Sequence, residues 1–184
     1  MRTGSVPSIW NRSHVIPLFK SGSHSDPLNY RPVSLTSVCC KVMERVVVSQ
    51  LVEYLETNCI FSTHQFGFRK NRSTQDQLLL TYDYVSSGFD EGCVVNVIFL
   101  DFSKAFDVVN HSVLLLKLRA LGVSGSLLSW ISAFLSNRVM SVCVGGEFSD
   151  AVDVTSGVPQ GSVLGPVLFF IVYQLGCWQS NLFL

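Results

Sequence analysis

VVNVIFLDFSKAFDVVNH, residues 94–111, is the stretch on which the reading of this chain turns. Val94–Leu100 is a nearly unbroken apolar run of strand length, which predicts a strand buried on both faces. It ends abruptly in Asp101. A carboxylate fixed at the tip of a rigid strand suits metal-dependent phosphoryl transfer, because Mg²⁺ demands near-octahedral oxygen geometry. The same spacing also suits Asp101 as the cap of a short helix opening at Ser103. Asp107 is expected to pair with His111 one helical turn on. Phe106 would lie beside anything held at Asp101, or pack in the core.

About fifty residues downstream comes GVPQGSVLG, residues 157–165. Glycine and proline fix an unusual backbone path, and a backbone bare of side chains can approach a nucleotide closely. Gln160 offers both donors and acceptors there. A tight turn before a helix would carry the same residues. Upstream, FGFRKNRST places Arg69, Lys70 and Arg72 just before a helix that Ser73 or Thr74 can cap. Arginine suits bidentate phosphate contact, and a helix start adds free N–H groups. A solvated basic loop is the plain reading of the same residues.

Around these motifs the pattern alternates. Trp10–Lys20 reads as a short strand broken by Pro17, and Ser21–Pro32 as a turn-rich loop. Thr36–Asn58 reads as a helix, with Val38, Val42, Val46, Leu51, Val52 and Leu55 inward and Glu44, Arg45, Glu53 and Glu56 outward. A helix from Ser73 or Thr74 to about Ser87 follows. Ser112–Leu121 is helical and stops at Gly122. Another helix runs from Ser124 or Ser126 through Leu135. Arg138–Gly145 and Phe148–Thr155 read as strands around a Gly145-Gly146 turn. Ser162–Tyr173 reads as a buried helix.

Composition bounds the class. At 184 residues the chain is one domain or one large piece of a bigger one. It is 48% hydrophobic and 14% charged, enough for a real core and sparing of charge. The net charge of zero hides an asymmetry: residues 1–72 hold nine Lys/Arg against four acids, and residues 73–184 hold four against nine. A basic half joined to an acidic half fits polyphosphate binding by one part and metal binding by the other. The six cysteines form no C-x-x-C pair, which argues against zinc and for a reducing, intracellular compartment. The N-terminus has no apolar core of a signal peptide. Val163–Trp178 is apolar but short for a span, so a buried helix is expected and no membrane association. No phosphate-binding G-x-x-x-x-G-K-[ST] or G-x-G-x-x-G occurs, nor a G-x-S-x-G elbow or H-E-x-x-H.

Four blocks in order make the chain similar to a known family: NYRPVSL (29–35), QFGFRKNRST (65–74), FLDFSKAFD (99–107) and GVPQGSVLGP (157–166). It resembles the reverse-transcriptase domain of LINE-like, non-LTR retrotransposons, from about Trp10 to Tyr173. The resemblance implies an α+β right-hand polymerase: fingers over about 10–92, a partial palm over about 93–173, no thumb, and a divergent tail at 174–184. It implies RNA-templated DNA synthesis with an RNA template, a DNA primer, deoxynucleoside triphosphates and Mg²⁺. By resemblance Asp101 is the first catalytic, metal-ligating carboxylate. Phe102, Phe106, Gln160, Gly161, Arg69 and Arg72 meet the nucleotide; Phe106 matches the ring that screens the sugar 2′ position. Arg31 and Lys70 contact template or phosphate. The family's pattern continues to an Ala-Asp-Asp tripeptide, but no Asp-Asp pair occurs in these 184 residues. Two-metal chemistry needs carboxylates from neighbouring strands. Asp101 alone should bind Mg²⁺ weakly, and this stretch is expected to be inactive by itself. The other expectation is a non-catalytic remnant that binds RNA or a protein partner.

Overall fold

In the computed structural model the described residues are 4–177. They form a mixed α+β arrangement of five strands and five α-helices with two short 3₁₀ turns. Packing divides the chain into two compact units. The first holds the chain up to Glu53 and again from Lys104 onward; the second is Tyr54–Ser103.

The first unit is built on a five-stranded mixed sheet. Strand β1 (Arg12–Phe19) pairs antiparallel with β2 (Tyr30–Leu35), His14 opposite Leu35 and Phe19 opposite Tyr30. Pro17 does not break β1 as the sequence suggests. It faces Pro32 across the ladder, and the pairing of β1 with β3 has already ended at Val15. A proline is tolerated where no neighbour asks for its N–H. Strand β3 (Arg138–Val144) runs parallel to β1, with Arg12 opposite Val139. Two short strands, β4 (Glu147–Phe148) and β5 (Val152–Val154), both pair antiparallel with β3. The expected hairpin forms: Val144 pairs with Glu147 across Gly145 and Gly146, whose φ of 61° and 91° suit a two-residue turn.

Helix α1 (Val38–Thr57) follows β2. Its buried stripe is not the one drawn from the valines. Val38, Val42 and Val46 are more than half exposed, whereas Cys40, Glu44, Val47, Leu51 and Leu55 are fully enclosed. Glu44, expected to face outward, therefore lies on the buried face at 0% exposure. The steps of four, three, four and four residues through positions 40, 44, 47, 51 and 55 are as helical as the valine steps. The side chain that breaks the apolar pattern is the one that needed explaining.

Three further helices complete the core of this unit. Asn110 caps α3 (His111–Ala120) by accepting from the Val113 amide at 3.1 Å. Helix α3 packs against α4 (Gly125–Leu135) and α5 (Gly165–Cys177). Leu114, Leu118, Trp130, Ile131, Phe134, Leu135, Leu164 and Leu168 are buried. Fully burying each aliphatic side chain contributes about 1.5–3 kcal/mol before the entropy of ordering it is subtracted. No helix among the described residues is long and apolar enough to cross a membrane.

The second unit holds the end of α1, the loop 58–73 and helix α2 (Thr74–Asp90). Ser73 caps α2 with a reciprocal box: its hydroxyl accepts from the Asp76 amide and the Asp76 carboxylate accepts from the Ser73 amide, both at 3.1 Å. The stretch Val94–Leu100 corrects the sequence reading most sharply. It is not a strand, and it is not buried: Val94, Ile98, Phe99 and Leu100 are each more than 80% exposed. An apolar, β-branched run has the propensity for a strand, but a strand needs a paired neighbour. None of the described strands pairs with it.

Candidate active site

The loop 157–165 is held at its start, middle and end. At its start the Gly157 amide donates to the Val109 carbonyl and the Val158 amide to the Phe106 carbonyl, both at 2.8 Å. Ser156 Oγ donates to the Asp107 carbonyl at 2.9 Å. His111 Nε2 lies 2.7 Å from the Gly157 carbonyl, and because that oxygen can only accept, Nε2 carries the proton. The expected Asp107–His111 ion pair does not form; the imidazole reaches across to the loop instead. Gly157 has φ +85°, and a Cβ there would sit 2.8 Å from the carbonyl oxygens of Phe106 and Asp107. Two reasons thus exclude any other residue: the backbone conformation and the close approach.

In the middle, the Ser34 amide on β2 donates to the Gln160 carbonyl at 2.7 Å. Gly161 has φ +108°, and a Cβ there would lie 2.9 Å from the Ser34 carbonyl. Gln160 Oε1 is enclosed and has no protein partner. At the end, Ser162 accepts from the Gly165 amide at 2.9 Å, and Glu44 accepts from the Val163 and Leu164 amides at 2.7 and 2.9 Å. A cleft of about 330 Å³ is lined by this loop together with Ser13, Ser34, Asp107, Arg138 and Asp153.

Phe106 is half-buried, its ring stacked on Phe169 of α5 at 4.8 Å between centroids. Phe106, Gln160 and Gly161 therefore belong to one hydrogen-bonded assembly. Arg31 is exposed on β2, three residues before Ser34.

The other sequence-derived residues lie in the second unit. Asp101 is exposed in the irregular segment that replaces the expected strand, and Phe102 is 54% exposed. Residues after it form turns rather than the short helix expected at Ser103. Arg69 makes a bidentate pair with Glu56, at 3.0 and 2.5 Å, and also donates to the Ser62 carbonyl at 2.7 Å. Its guanidinium lies 5.1 Å from the Phe61 ring centroid. Arg72 donates to the Thr63 carbonyl at 3.0 Å and stacks over Phe66 at 4.9 Å. Lys70 is exposed. The three basic residues thus differ: two arginines brace their own loop, and the lysine projects from it.

Among the described residues no three His, Cys, Asp or Glu side chains gather into a group that could hold a metal ion.

Glu44 and Arg138 were not singled out from the sequence. Arg138 is 2% exposed, with one Nη donating to the Phe134 carbonyl at 3.1 Å. Burial pulls its pKa down from the ordinary value, opposed by the nearby Cys40 and Glu44. An acid on the apolar stripe of α1 was the legible sign of Glu44. No sequence sign marked Arg138, the first residue of a strand.

Residues 20–175 match the reverse transcriptase (RNA-dependent DNA polymerase) family. The chain is 32% identical over 172 residues to a probable RNA-directed DNA polymerase from transposon BS of Drosophila melanogaster, covering 93% of this chain and 19% of the relative. It is 33% identical to the RNA-directed DNA polymerase from mobile element jockey of the same fly, covering 91% of this chain and 18% of the relative. It is 30% identical to the Pol polyprotein from type-1 retrotransposable element R2 of Popillia japonica, covering 90% of this chain and 23% of the relative. The chain thus spans about a fifth of the length of these relatives. With the ordered blocks, the mixed α+β fold and the clamped GVPQG loop, these matches lead to one conclusion: the chain belongs to the reverse transcriptase (RNA-dependent DNA polymerase) family, as a domain fragment of the kind carried by non-LTR retrotransposons.

Proposed function

We propose that this chain forms the fingers and part of the palm of an RNA-directed DNA polymerase, about 10–92 and 93–173 respectively, and that its 157–165 loop receives the incoming deoxynucleoside triphosphate. The observation that carries this reading is the hydrogen-bonded union of the Phe106 turn, the Gln160 loop and the β2 strand. Phe106 would screen the sugar, Gln160 and Gly161 would pack against the nucleotide, and Phe102 would border it. Arg31 and Lys70, both exposed, would meet template or phosphate. Arg69 and Arg72 would reach the nucleotide only by sharing donors with their present partners. Asp101 would contribute one carboxylate to a Mg²⁺ site.

Primer extension on an RNA template tests this reading, alongside binding of template–primer as salt is raised. The 184-residue polypeptide should bind template–primer with an affinity that falls as salt rises, and should incorporate no nucleotide. Mg²⁺-dependent incorporation that Asp101→Ala abolishes would contradict the proposed inactivity of this stretch by itself. Absence of any binding would contradict the polymerase reading itself.

A further inference from the structure

We infer that Glu44 is a positioning residue for the 157–165 loop: its buried carboxylate, on α1, fixes the exit of the loop and thereby the placement of Gln160. The inference rests on the reading that this loop meets the nucleotide.

The geometry is specific. One oxygen, Oε2, accepts from two consecutive amides, Val163 at 2.7 Å and Leu164 at 2.9 Å. These amides immediately precede α5, which begins at Gly165. The first N–H groups of a helix have no partner within the helix, and an anion there is favoured by the aligned peptide dipoles. Glu44, 119 and 120 positions before these two residues, thus supplies their acceptor, while the Gly165 amide that follows is taken by Ser162 Oγ within the loop. The second oxygen, Oε1, accepts from Cys40 Sγ at 3.5 Å, one turn back on α1. Both oxygens are therefore engaged, and the residue is 0% exposed.

A carboxylate so buried carries a large desolvation cost, which a merely space-filling residue would avoid. Arg138, 2% exposed, interacts electrostatically with Glu44 and Cys40 without forming an ion pair with Glu44. The loop's other fastenings hold its start and middle: Val109, Phe106 and His111 at Gly157–Val158, and Ser34 at Gln160. Gln160 lies between the Ser34 fastening and the Glu44 fastening. Releasing Val163 and Leu164 frees the downstream side of Gln160 while the upstream side stays tied.

The test compares wild type, Glu44→Gln and Glu44→Ala in the full chain. Amide hydrogen exchange is read across the whole protein, with binding of a fluorescent deoxynucleoside triphosphate on template–primer. Glutamine keeps an oxygen that can accept from the two amides, so Glu44→Gln should stay close to wild type in both readouts. Glu44→Ala should speed exchange at 160–166 by ~10- to 100-fold, with exchange in α3 and α4 little changed, and should weaken nucleotide binding ~10-fold. Acceleration spread evenly over the molecule, or none at 160–166, would overturn the inference. So would equal losses in the Gln and Ala variants. If wild type binds no nucleotide, the polymerase reading fails on its own, while the exchange pattern still decides whether Glu44 fixes the loop.

Discussion

The 157–165 loop and the 94–103 segment carry the two most telling motifs of the chain, yet they are held in opposite ways. The loop is tied to β2, to the Phe106 turn and to Glu44, and Val158, Ser162 and Leu164 within it are buried. The segment before Asp101 pairs with no described strand and exposes Val94, Ile98, Phe99 and Leu100. A motif and its scaffold are separate facts. A loop whose partners are all present takes its conformation from them. A strand-like run without a paired neighbour has only its propensity.

The largest expected effect comes from making the same substitution on both sides. Leu164→Ala, at 0% exposure, should cost about 3 kcal/mol in urea unfolding, whereas Leu100→Ala, at 85%, should stay within about 0.5 kcal/mol. Equal costs would erase the contrast. The buried environment of the loop's anchor also predicts an alkaline weakness. Burial, then the charge of Glu44 and its hydrogen bond, push the Cys40 thiol up from 9.0 to about 12. The folded state then holds a proton that the unfolded state releases, so stability is full below pH 9 and falls as pH rises toward 12. The slope should approach ~1.4 kcal/mol per pH unit, and Cys40→Ala should flatten it in urea titrations from pH 8 to 11.

A smaller effect separates the arginines from Asp101 within the second unit. Arg69→Ala removes a bidentate pair whose side chains are 11% and 36% exposed. Discounted for solvent screening, it should cost about 1 kcal/mol in the same assay. The smallest effect is at Asp101, where replacement by alanine should change stability by less than about 0.5 kcal/mol, because the side chain is exposed. A large loss at Asp101 would mean that it braces the segment after all.

Much of this was legible in the sequence. The ends of α2, α3 and α4 were legible to within a few residues, and Ser73, read as a cap, acts through local backbone groups. The Gly145-Gly146 turn was legible for the same reason. What stayed hidden depended on partners far along the chain. Val38, Val42 and Val46 looked like a core stripe, but the face that packs contains Glu44, whose ligands are 119 and 120 residues away. His111 looked like a partner for Asp107 four residues back; the Gly157 carbonyl, 46 residues on, takes it instead. Val94–Leu100 looked like a core strand because periodicity reports propensity and not the presence of a neighbour.

The contrast itself is open to one direct measurement: residue-resolved amide hydrogen exchange of the wild-type chain under native conditions. Ser34, Gly157, Val158, Val163 and Leu164, whose amides are all bonded, should exchange slowly, near the rate set by global unfolding, while 94–100 should exchange close to the rate of an unfolded peptide. Equal protection of the two regions would contradict it.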